Sequence, residues 1–564
     1  MDNIRRYTKV IALVILCSLA IAMPNINFSV SGISGNVAKN VLNTLKLFSE
    51  NIDTNISENE LRSKELRMEE EVKKAMQPFG YFNPILKSNI YKKDNVWYIA
   101  YNIKPGYRLR FNKVKLSPTV KKLTDKKHTL VEGEYFSIIK YIDFKKYLVM
   151  LAQNQGYANA NTDMSKIDID IEKKYVAVSI ELNLGPRYHI GNINYNSEKI
   201  SAELLNKFAP FKKGDTYTLS KIAAFKKNLE KSHLLQKIEI IPKFPAKNSN
   251  RNNIDLEVKL TLKPNNQYQV GFGYDTNELW QTNFNVTRNY LTKNANKSKS
   301  SIKIATNEVE AGFEYIMPGS DPIVETDIIS SYLNTKSYQG IGDSKYITSS
   351  YIKKYNYINS SHAESINIHH EKSYPDNEPI YTSTLLYPKF EATRSFILNK
   401  KTKSKLSGYV LGAIKDVGST DNILKGVLNL NTSVKLPDNF SFVNKIQLGA
   451  IYSNNFTDIP LSFKFTAGGA NSLRGYSYNY FGPGKFLKVT NNEVSYRIYE
   501  NLSVSFFVDI GNVSDNFDDS KYYVGIGPAI SWHSQLGAVS LNLGYAISLD
   551  DKPWQLQMSF SPAI

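Results

Sequence analysis

The sequence predicts a chain of two parts: three α+β repeats, each of the order β-α-α-β-β, followed by an antiparallel transmembrane β-barrel of about 16 strands. In the first half, an alternating strand that ends in proline recurs about every 80 residues, which is typical of a repeated module. From residue 266 onward, helical periodicity disappears and alternating segments follow one another to the C-terminus. An apolar N-terminal segment indicates that the chain is exported.

The composition excludes several classes of protein. Charged residues make up 22% of the 564 residues and the mean hydropathy is −0.35, which excludes a membrane protein built from many apolar helices. Aromatic residues make up 12%, a content that suits a barrel with aromatic girdles. The net charge of +18 favours an anionic partner, either lipid headgroups or nucleic acid. The lysines are scattered rather than clustered with aromatic residues, so membrane lipids are predicted as a partner and nucleic acid is not.

Residues 1–22 are predicted to be a signal peptide. Arg5 to Lys9 carry positive charge, Val10 to Leu19 are apolar, and Ala20 to Ala22 form a cleavage site with small residues. The alternative is a single membrane anchor, although the apolar run is short for a span. The only cysteine, Cys17, lies within the apolar run, so cleavage would leave a chain without thiols, which suits an oxidising compartment.

The repeats are defined by their final strands. The three strands that end in proline are Trp97 to Pro105, Tyr175 to Pro186 and Ile254 to Pro264. Helical patterns precede them at Glu70 to Gln77, Phe144 to Gln155 and Leu219 to Ser232. A new strand is expected directly after the first two prolines. We therefore predict repeats at 23–105, 106–185 and 186–264; the alternative is one continuous α+β domain.

Residues 265–564 are predicted to form the barrel. In the first strand, Gln267 to Asp275, aromatic and aliphatic residues alternate with Gln and Gly, and the last strand, Trp554 to Phe560, alternates in the same way. Alternation also fits an antiparallel sheet with one face in water. The segments have about the length of a tilted strand that crosses a bilayer, and no helices are available to cover an apolar face. Because every backbone polar group must be paired in lipid, such a sheet has to close on itself.

The candidate site combines a glycine-rich loop with two carboxylates. Arg474 lies in the loop that Phe465 to Tyr476 form, and alternation places Glu493 and Asp509 on the inner faces of two consecutive strands. Arg474 could therefore fold into the barrel and pair with both carboxylates. The alternative is an ordinary extracellular loop with an exposed arginine above a polar lumen.

These motifs resemble a known family. FTAGGANSLRGY at 465–476, Glu493 and FFVDIGN at 506–512 are similar to the signature of the BamA/TamA outer-membrane assembly superfamily. The resemblance implies that Arg474, Gly475 and Tyr476 form the turn of the sixth extracellular loop, which enters the barrel. It further implies that Asp509 accepts the arginine and that Glu493 is the second carboxylate.

Three further motifs resemble the TamA branch: VSGISGNV at 30–37, PFGY at 78–81 and GPRYHIG at 185–191. This resemblance implies three periplasmic POTRA domains ahead of an outer-membrane barrel. It implies insertion or translocation of β-barrel or autotransporter clients without a nucleotide or other cofactor, together with a TamB-like partner anchored in the inner membrane. Phospholipid transport is also implied for that pair. The alternatives are a two-partner secretion transporter of the same superfamily and a passive outer-membrane channel.

The proposed mechanism depends on a seam between the first and last strands. Gly271 and Gly273 are expected to weaken the first strand that begins at Gln267, because glycine inside a strand lowers its stability. A seam between this strand and the strand from Trp554 to Phe560 could open and pair with an incoming client strand.

Enzymatic chemistry has little support in the sequence. His369 and His370 would point to opposite faces of a strand, which makes a poor metal site. The motifs of zinc proteases, P-loop proteins and α/β-hydrolases are missing from the sequence. We therefore expect no enzyme activity, no cofactor and no metal.

Overall fold

The structure is a computed structural model that describes residues 26–50, 52, 56–94, 96–124, 129–246, 251–276, 279–535, 537–551 and 553–562. The predicted signal peptide, residues 1–22, lies outside these described residues. Within them, none of the helices has both the length and the apolar character needed to span a membrane. The chain divides into two compact units. The first comprises residues within 1–192, 212–222 and 243–255, and the second comprises residues within 193–211, 223–242 and 256–564.

The N-terminal part contains three modules of the order β-α-α-β-β, as predicted. The first has strands and helices at β1 (Ile26–Ser31), α1 (Gly35–Ser49), α2 (Glu58–Met76), β2 (Ile85–Lys93) and β3 (Val96–Lys104). The second has β4 (Lys113–Leu116), α3 (Pro118–Leu123), α4 (Ile138–Asn154), β5 (Lys166–Asp170) and β6 (Tyr175–Ile180). The third has β7 (His189–Tyr195), α5 (Ala202–Asn206), α6 (Leu219–Lys231), β8 (Leu235–Lys243) and β9 (Asn253–Leu262). The exact repeat boundaries stay a prediction.

In each module the last strand lies in the middle of a three-stranded sheet, in the orders β1-β3-β2, β4-β6-β5 and β7-β9-β8. The alternation in β3 explains the core of the first module, because Trp97, Ile99, Tyr101 and Ile103 all point to one face and are buried. That face packs with apolar residues of the two helices, among them Leu45 of α1.

Several local predictions were wrong in their limits; helix α4, for example, begins at Ile138 rather than Phe144. Helix α2 begins at Glu58 rather than Glu70, because Ser57 and Glu60 form a capping box in which each side chain accepts a hydrogen bond from the other residue's backbone N–H. The strand expected directly after Gly106 begins only at Lys113. The segment before it bonds irregularly to neighbouring loops; Leu109, for example, donates its N–H to the carbonyl of Gly80.

The C-terminal part is a closed antiparallel barrel of 16 strands, which confirms the prediction. Its strands are β10 (Asn266–Asp275), β11 (Leu279–Arg288), β12 (Lys297–Ala305), β13 (Glu308–Pro318), β14 (Glu325–Tyr338), β15 (Gly342–Asn356), β16 (Ser360–Pro375), β17 (Tyr381–Ile397), β18 (Thr402–Ala413), β19 (Ile423–Lys435), β20 (Phe440–Ser453), β23 (Phe486–Tyr499), β24 (Leu502–Ser514), β25 (Tyr523–Ser534), β26 (Gly537–Ala546) and β27 (Trp554–Pro562). Two short strands, β21 (Phe465–Ala467) and β22 (Phe481–Gly484), pair with each other in the long connection between β20 and β23.

The two faces of the barrel wall differ as the alternation predicts. On β19, Leu424 and Leu428 are 54% and 47% exposed on the outside, whereas Lys425 between them is only 7% exposed inside. Apolar side chains are exposed in the same way on the outer face of the last strand, for example Trp554 and Leu556. A continuous apolar exterior around a polar interior is the pattern of a barrel in a lipid bilayer.

Candidate functional site

The connection between β20 and β23, residues 454–485, is called loop 6 here because it is the sixth connection at its end of the barrel. Its apolar side chains form one buried cluster with inward residues of the wall. Ile459 and Phe463 come from its first half and Leu473 and Phe481 from its second half. Loop 6 is therefore packed inside the barrel, because this cluster excludes water from both its halves.

The predicted residues Arg474, Asp509 and Glu493 meet inside the barrel, and we call this contact the turn lock. Nε and Nη2 of Arg474 donate to the two oxygens of Asp509 at 2.7 and 2.9 Å, and Nη1 donates to Oε2 of Glu493 at 2.6 Å. The backbone N–H of Arg474 also donates to Asp509, at 3.1 Å. Asp509 is completely buried. The planar guanidinium suits this arrangement because it can bind one carboxylate with two parallel hydrogen bonds and still reach a second carboxylate.

Phe507 supports the guanidinium from the wall of the barrel. The Cζ atom of Arg474 lies 3.7 Å from the centre of the Phe507 ring, which is fully buried. This is a cation–π contact in a site shielded from water, where such contacts are strongest. Phe507 was not among the predicted site residues, although the two-residue period of β24 places it on the same face as Asp509.

The other two predicted residues of the turn pack against β25 and β26. The hydroxyl of Tyr476 donates to the carbonyl of Val524 at 2.9 Å. Gly475 has φ +92°, a left-handed conformation that favours glycine. Gly525 of β25 is equally restricted, because a Cβ atom there would lie 1.8 Å from the carbonyl oxygen of Arg474. Strand glycines thus let the backbone of the turn lie directly on the backbone of the wall.

Loop 6 also contacts the last strand, through two glutamines that the sequence analysis did not select. Nε2 of Gln557 donates to the carbonyl of Tyr476 at 3.0 Å, and Nε2 of Gln555 donates to Oγ of Ser477 at 2.8 Å. Gln557 is 3% exposed. The signal for both residues was the alternation of β27, in which Gln555 and Gln557 occupy the inner face.

The seam between β10 and β27 is short. Among the described residues, these strands pair only at Tyr274↔Phe560 and Asp275↔Ser559, and the N–H of Thr276 adds one bond to Met558 at 2.9 Å. By contrast, the ladder between β26 and β27 runs from Gly537↔Pro562 to Tyr545↔Trp554.

The other predicted seam residues pair elsewhere. Gln267, Gly271 and Gly273 pair with β11, opposite Thr287, Asn283 and Gln281. Trp554 pairs with Tyr545 on β26. Of the five predicted seam residues, Phe560 is the one that the structure places in the β10–β27 ladder.

Three known domains match this chain. The Omp85 superfamily domain matches residues 393–561, which include the turn lock and all of the last strand except Pro562. The first POTRA domain of TamA matches residues 27–105, and the surface antigen variable number repeat, a POTRA family, matches residues 188–262. The chain thus has an Omp85 superfamily domain together with POTRA domains, one of them of the TamA type, a combination that supports its placement in the BamA/TamA Omp85 superfamily.

Two solved structures are similar to this chain. The crystal structure of BamA from Haemophilus ducreyi lacking POTRA domains 1–3 is similar with a TM-score of 0.71 and 15% identity, over 81% of this chain and 100% of that chain. CdiB from Acinetobacter baumannii matches 90% of this chain and 99% of its own with 14% identity and a TM-score of 0.46.

The Omp85 and POTRA matches confirm the predicted location of the protein. The barrel lies in the bacterial outer membrane and the POTRA domains lie in the periplasm. Members of the superfamily are transporters and insertases that handle substrate proteins with the help of partners, which supports a function in outer-membrane insertion or secretion. Across the described residues, no three or more His, Cys, Asp or Glu side chains are grouped so that they could hold a metal ion.

Proposed function

We propose that this Omp85 protein assembles β-barrel or autotransporter proteins in the outer membrane at the seam between β10 and β27. The observation that carries the proposal is the two-pair seam, because in lipid an unpaired strand edge is costly and binds another strand. A client strand that pairs with β10 or β27 would replace unsatisfied backbone groups with a regular ladder.

Loop 6 has a defined part in this proposal. Its turn is fixed to β23 and β24 by the turn lock, and Gln555 and Gln557 connect it to β27, one of the two strands that form the seam. The loop would thus keep β27 in place on its inner face while the outer edge pairs with a client. On this proposal the protein is not an enzyme, because its work consists of strand exchange and not of covalent chemistry.

We further propose that the protein is TamA-like and works with a TamB-like partner anchored in the inner membrane, and that the pair also takes part in phospholipid transport. The match of residues 27–105 to the first TamA POTRA domain supports this assignment. The first sheet offers a partner the strand β2, which is at its edge and exposes Ile85 and Tyr91. Crosslinking from Tyr91 in cells should capture a long periplasmic protein; capture of outer-membrane lipoproteins alone would contradict the assignment.

A reversible disulfide across the seam tests the main proposal. Tyr274→Cys with Phe560→Cys joins directly opposed residues of the two strands, which lie at a separation that suits a disulfide. The only native cysteine is Cys17, so the introduced pair has no competitor in the barrel. Oxidation should stop the assembly of an autotransporter client in proteoliposomes, and a reductant should restore it.

The control is the pair Leu541→Cys with Met558→Cys, which joins β26 to β27 where the ladder is already continuous. It should form a disulfide without loss of assembly. Full assembly with an oxidised seam would contradict the proposal. If the protein were a passive channel, it would conduct ions equally with the seam disulfide oxidised and with it reduced.

A further inference from the structure

The first half of loop 6 is attached to a different part of the wall than the turn lock. Four main-chain groups of the segment 459–463 each bond to a different wall side chain. The carbonyl of Ile459 accepts from the hydroxyl of Tyr381 at 2.8 Å, and the carbonyl of Phe463 accepts from Nζ of Lys425 at 2.6 Å. The N–H of Leu461 donates to the hydroxyl of Ser373 at 3.4 Å, and the N–H of Ser462 donates to the carboxylate of Glu371 at 3.3 Å. We use the name base lock for these four side chains together with the segment 459–463.

Glu371 is the centre of the base lock. It is completely buried, and its oxygens also accept from the hydroxyls of Ser462 and of Ser373, the latter at 2.9 Å. Nε2 of His369 lies 3.0 Å from the same carboxylate, and Nδ1 of His369 lies 2.8 Å from the hydroxyl of Thr348. A buried carboxylate with this number of donors is held rigidly, because the loss of any donor would leave buried acceptor capacity unsatisfied.

Lys425 binds the C-terminal end of the segment 459–463. Its Nζ atom lies 4.6 Å from the centre of the Phe465 ring and donates to the Phe463 carbonyl, and the side chain is buried. A lysine buried in this way costs free energy unless hydrogen bonds and aromatic faces replace its water. Its burial therefore depends on loop 6 lying in this position.

The two locks hold loop 6 at separate places on the barrel wall. The base lock uses β16, β17 and β19, whereas the turn lock uses β23 and β24. In the strand order β16-β17-β18-β19-β20-β23-β24, five of the sixteen strands lie between the strand of Glu371 and the strand of Asp509. Loop 6 thus spans the lumen between two fixed points.

We propose that the base lock is a second, independent positioning element that keeps loop 6 inside the lumen when the turn lock opens. With one lock intact, the other re-forms within the same molecule at a high effective concentration. Release of the turn lock during client assembly would therefore leave the lumen blocked. The inference rests on the proposed function for its purpose, but its test requires neither a client nor a partner.

The test compares three variants of the full chain in planar lipid bilayers: Arg474→Ala, Glu371→Gln with Lys425→Met, and all three substitutions together. Glu371→Gln turns one acceptor oxygen into a donor that faces other donors, and Lys425→Met keeps the apolar stem without the ammonium. We expect each single-lock variant to conduct like the parent protein. The combined variant should show channel openings roughly 100-fold more often than the parent protein, because both attachments of a bivalent contact are then lost.

Glu308→Gln is the matched control, because this buried carboxylate pairs with Lys303 and Asn334, which are side chains of the barrel wall. Combined with Arg474→Ala, it should leave the lumen blocked. Frequent opening of Arg474→Ala alone, frequent opening of the base-lock variant alone, or a combined variant that stays closed would each overturn the inference.

A folding defect is detected by the mobility of unheated protein in SDS gels. Should the combined variant not fold, Tyr381→Phe replaces Glu371→Gln, because it removes only the hydroxyl that bonds to Ile459. Protease cleavage of loop 6 from outside intact vesicles gives a second readout. The loop should be cut in the combined variant and protected in both single-lock variants; equal cutting in all three would overturn the inference.

Discussion

The two attachments of loop 6 differ in what they recognise on the loop. The turn lock binds one side chain, the guanidinium of Arg474, with two carboxylates and an aromatic ring. The proposed base lock binds mainly the backbone of the segment 459–463, through four side chains of the wall. The first therefore depends on the identity of a loop residue. The second depends on wall residues and on the path of the loop, so substitutions in the loop segment should affect it less.

The largest effect is expected at the turn lock. Arg474→Ala leaves Asp509 buried without its cationic partner, and loss of one partner of a buried ion pair costs about 3–5 kcal/mol. The variant should unfold at lower temperature when the barrel is followed by gel mobility, and it should assemble clients poorly. Arg474→Lys should rescue only part of the loss, because an ammonium cannot make the two parallel bonds to Asp509.

Arg497→Ala is the control for this prediction, since Arg497 lies on the same face of β23 as Glu493 but outside the turn lock. It should change neither the unfolding temperature nor assembly. If Arg474→Ala and Arg497→Ala behaved alike, the turn lock would have no structural role of the kind described here.

The difference between the locks also explains what the sequence could predict. Alternation over β23 and β24 predicts that Glu493 and Asp509 point inward, and a single arginine in a glycine-rich turn completes a recognisable motif. The same period was sufficient to place Phe507, Gln555 and Gln557 inside. In these cases local backbone geometry alone decides the direction of a side chain.

The base lock was not predictable in this way. Glu371 and Lys425 read as ordinary charges of a polar lumen, and Ser462 as an ordinary loop residue. Their contacts join residues far apart in the chain and are fixed by the path of loop 6 through the barrel, which no local period encodes. The start of α2 is a different case, because a short-range signal, the capping box of Ser57 and Glu60, was present in the sequence and was overlooked.

An intermediate effect is expected from a change in the wall that leaves Arg474 and both carboxylates in place. Gly525→Ala would put a methyl group 1.8 Å from the Arg474 carbonyl, so the turn must shift, at an overpacking cost of about 1–3 kcal/mol. We expect a lower unfolding temperature that adds little to the effect of Arg474→Ala, because both changes act on the same contact.

Gly426→Ala on β19 is the control, because the nearest atom to its added methyl group lies 3.9 Å away. It should be neutral. Full additivity of Gly525→Ala with Arg474→Ala would show that the glycine acts on the strand itself and not on the turn.

The smallest effect is expected at the base lock from a loop residue. Ser462→Ala removes the hydroxyl bond to Glu371 but keeps the backbone N–H that donates to the same carboxylate at 3.3 Å. We expect a loss of about 1 kcal/mol, the usual net value of one hydrogen bond, measured as a small fall in the unfolding temperature. Glu371→Gln should cost more, because it disturbs the backbone bond and the hydroxyl bonds together.

Ser472→Ala on the same loop is the control and should leave the unfolding temperature unchanged. If Ser462→Ala were as damaging as Glu371→Gln, the base lock would recognise the serine side chain, and the distinction between a side-chain lock and a backbone lock would be lost.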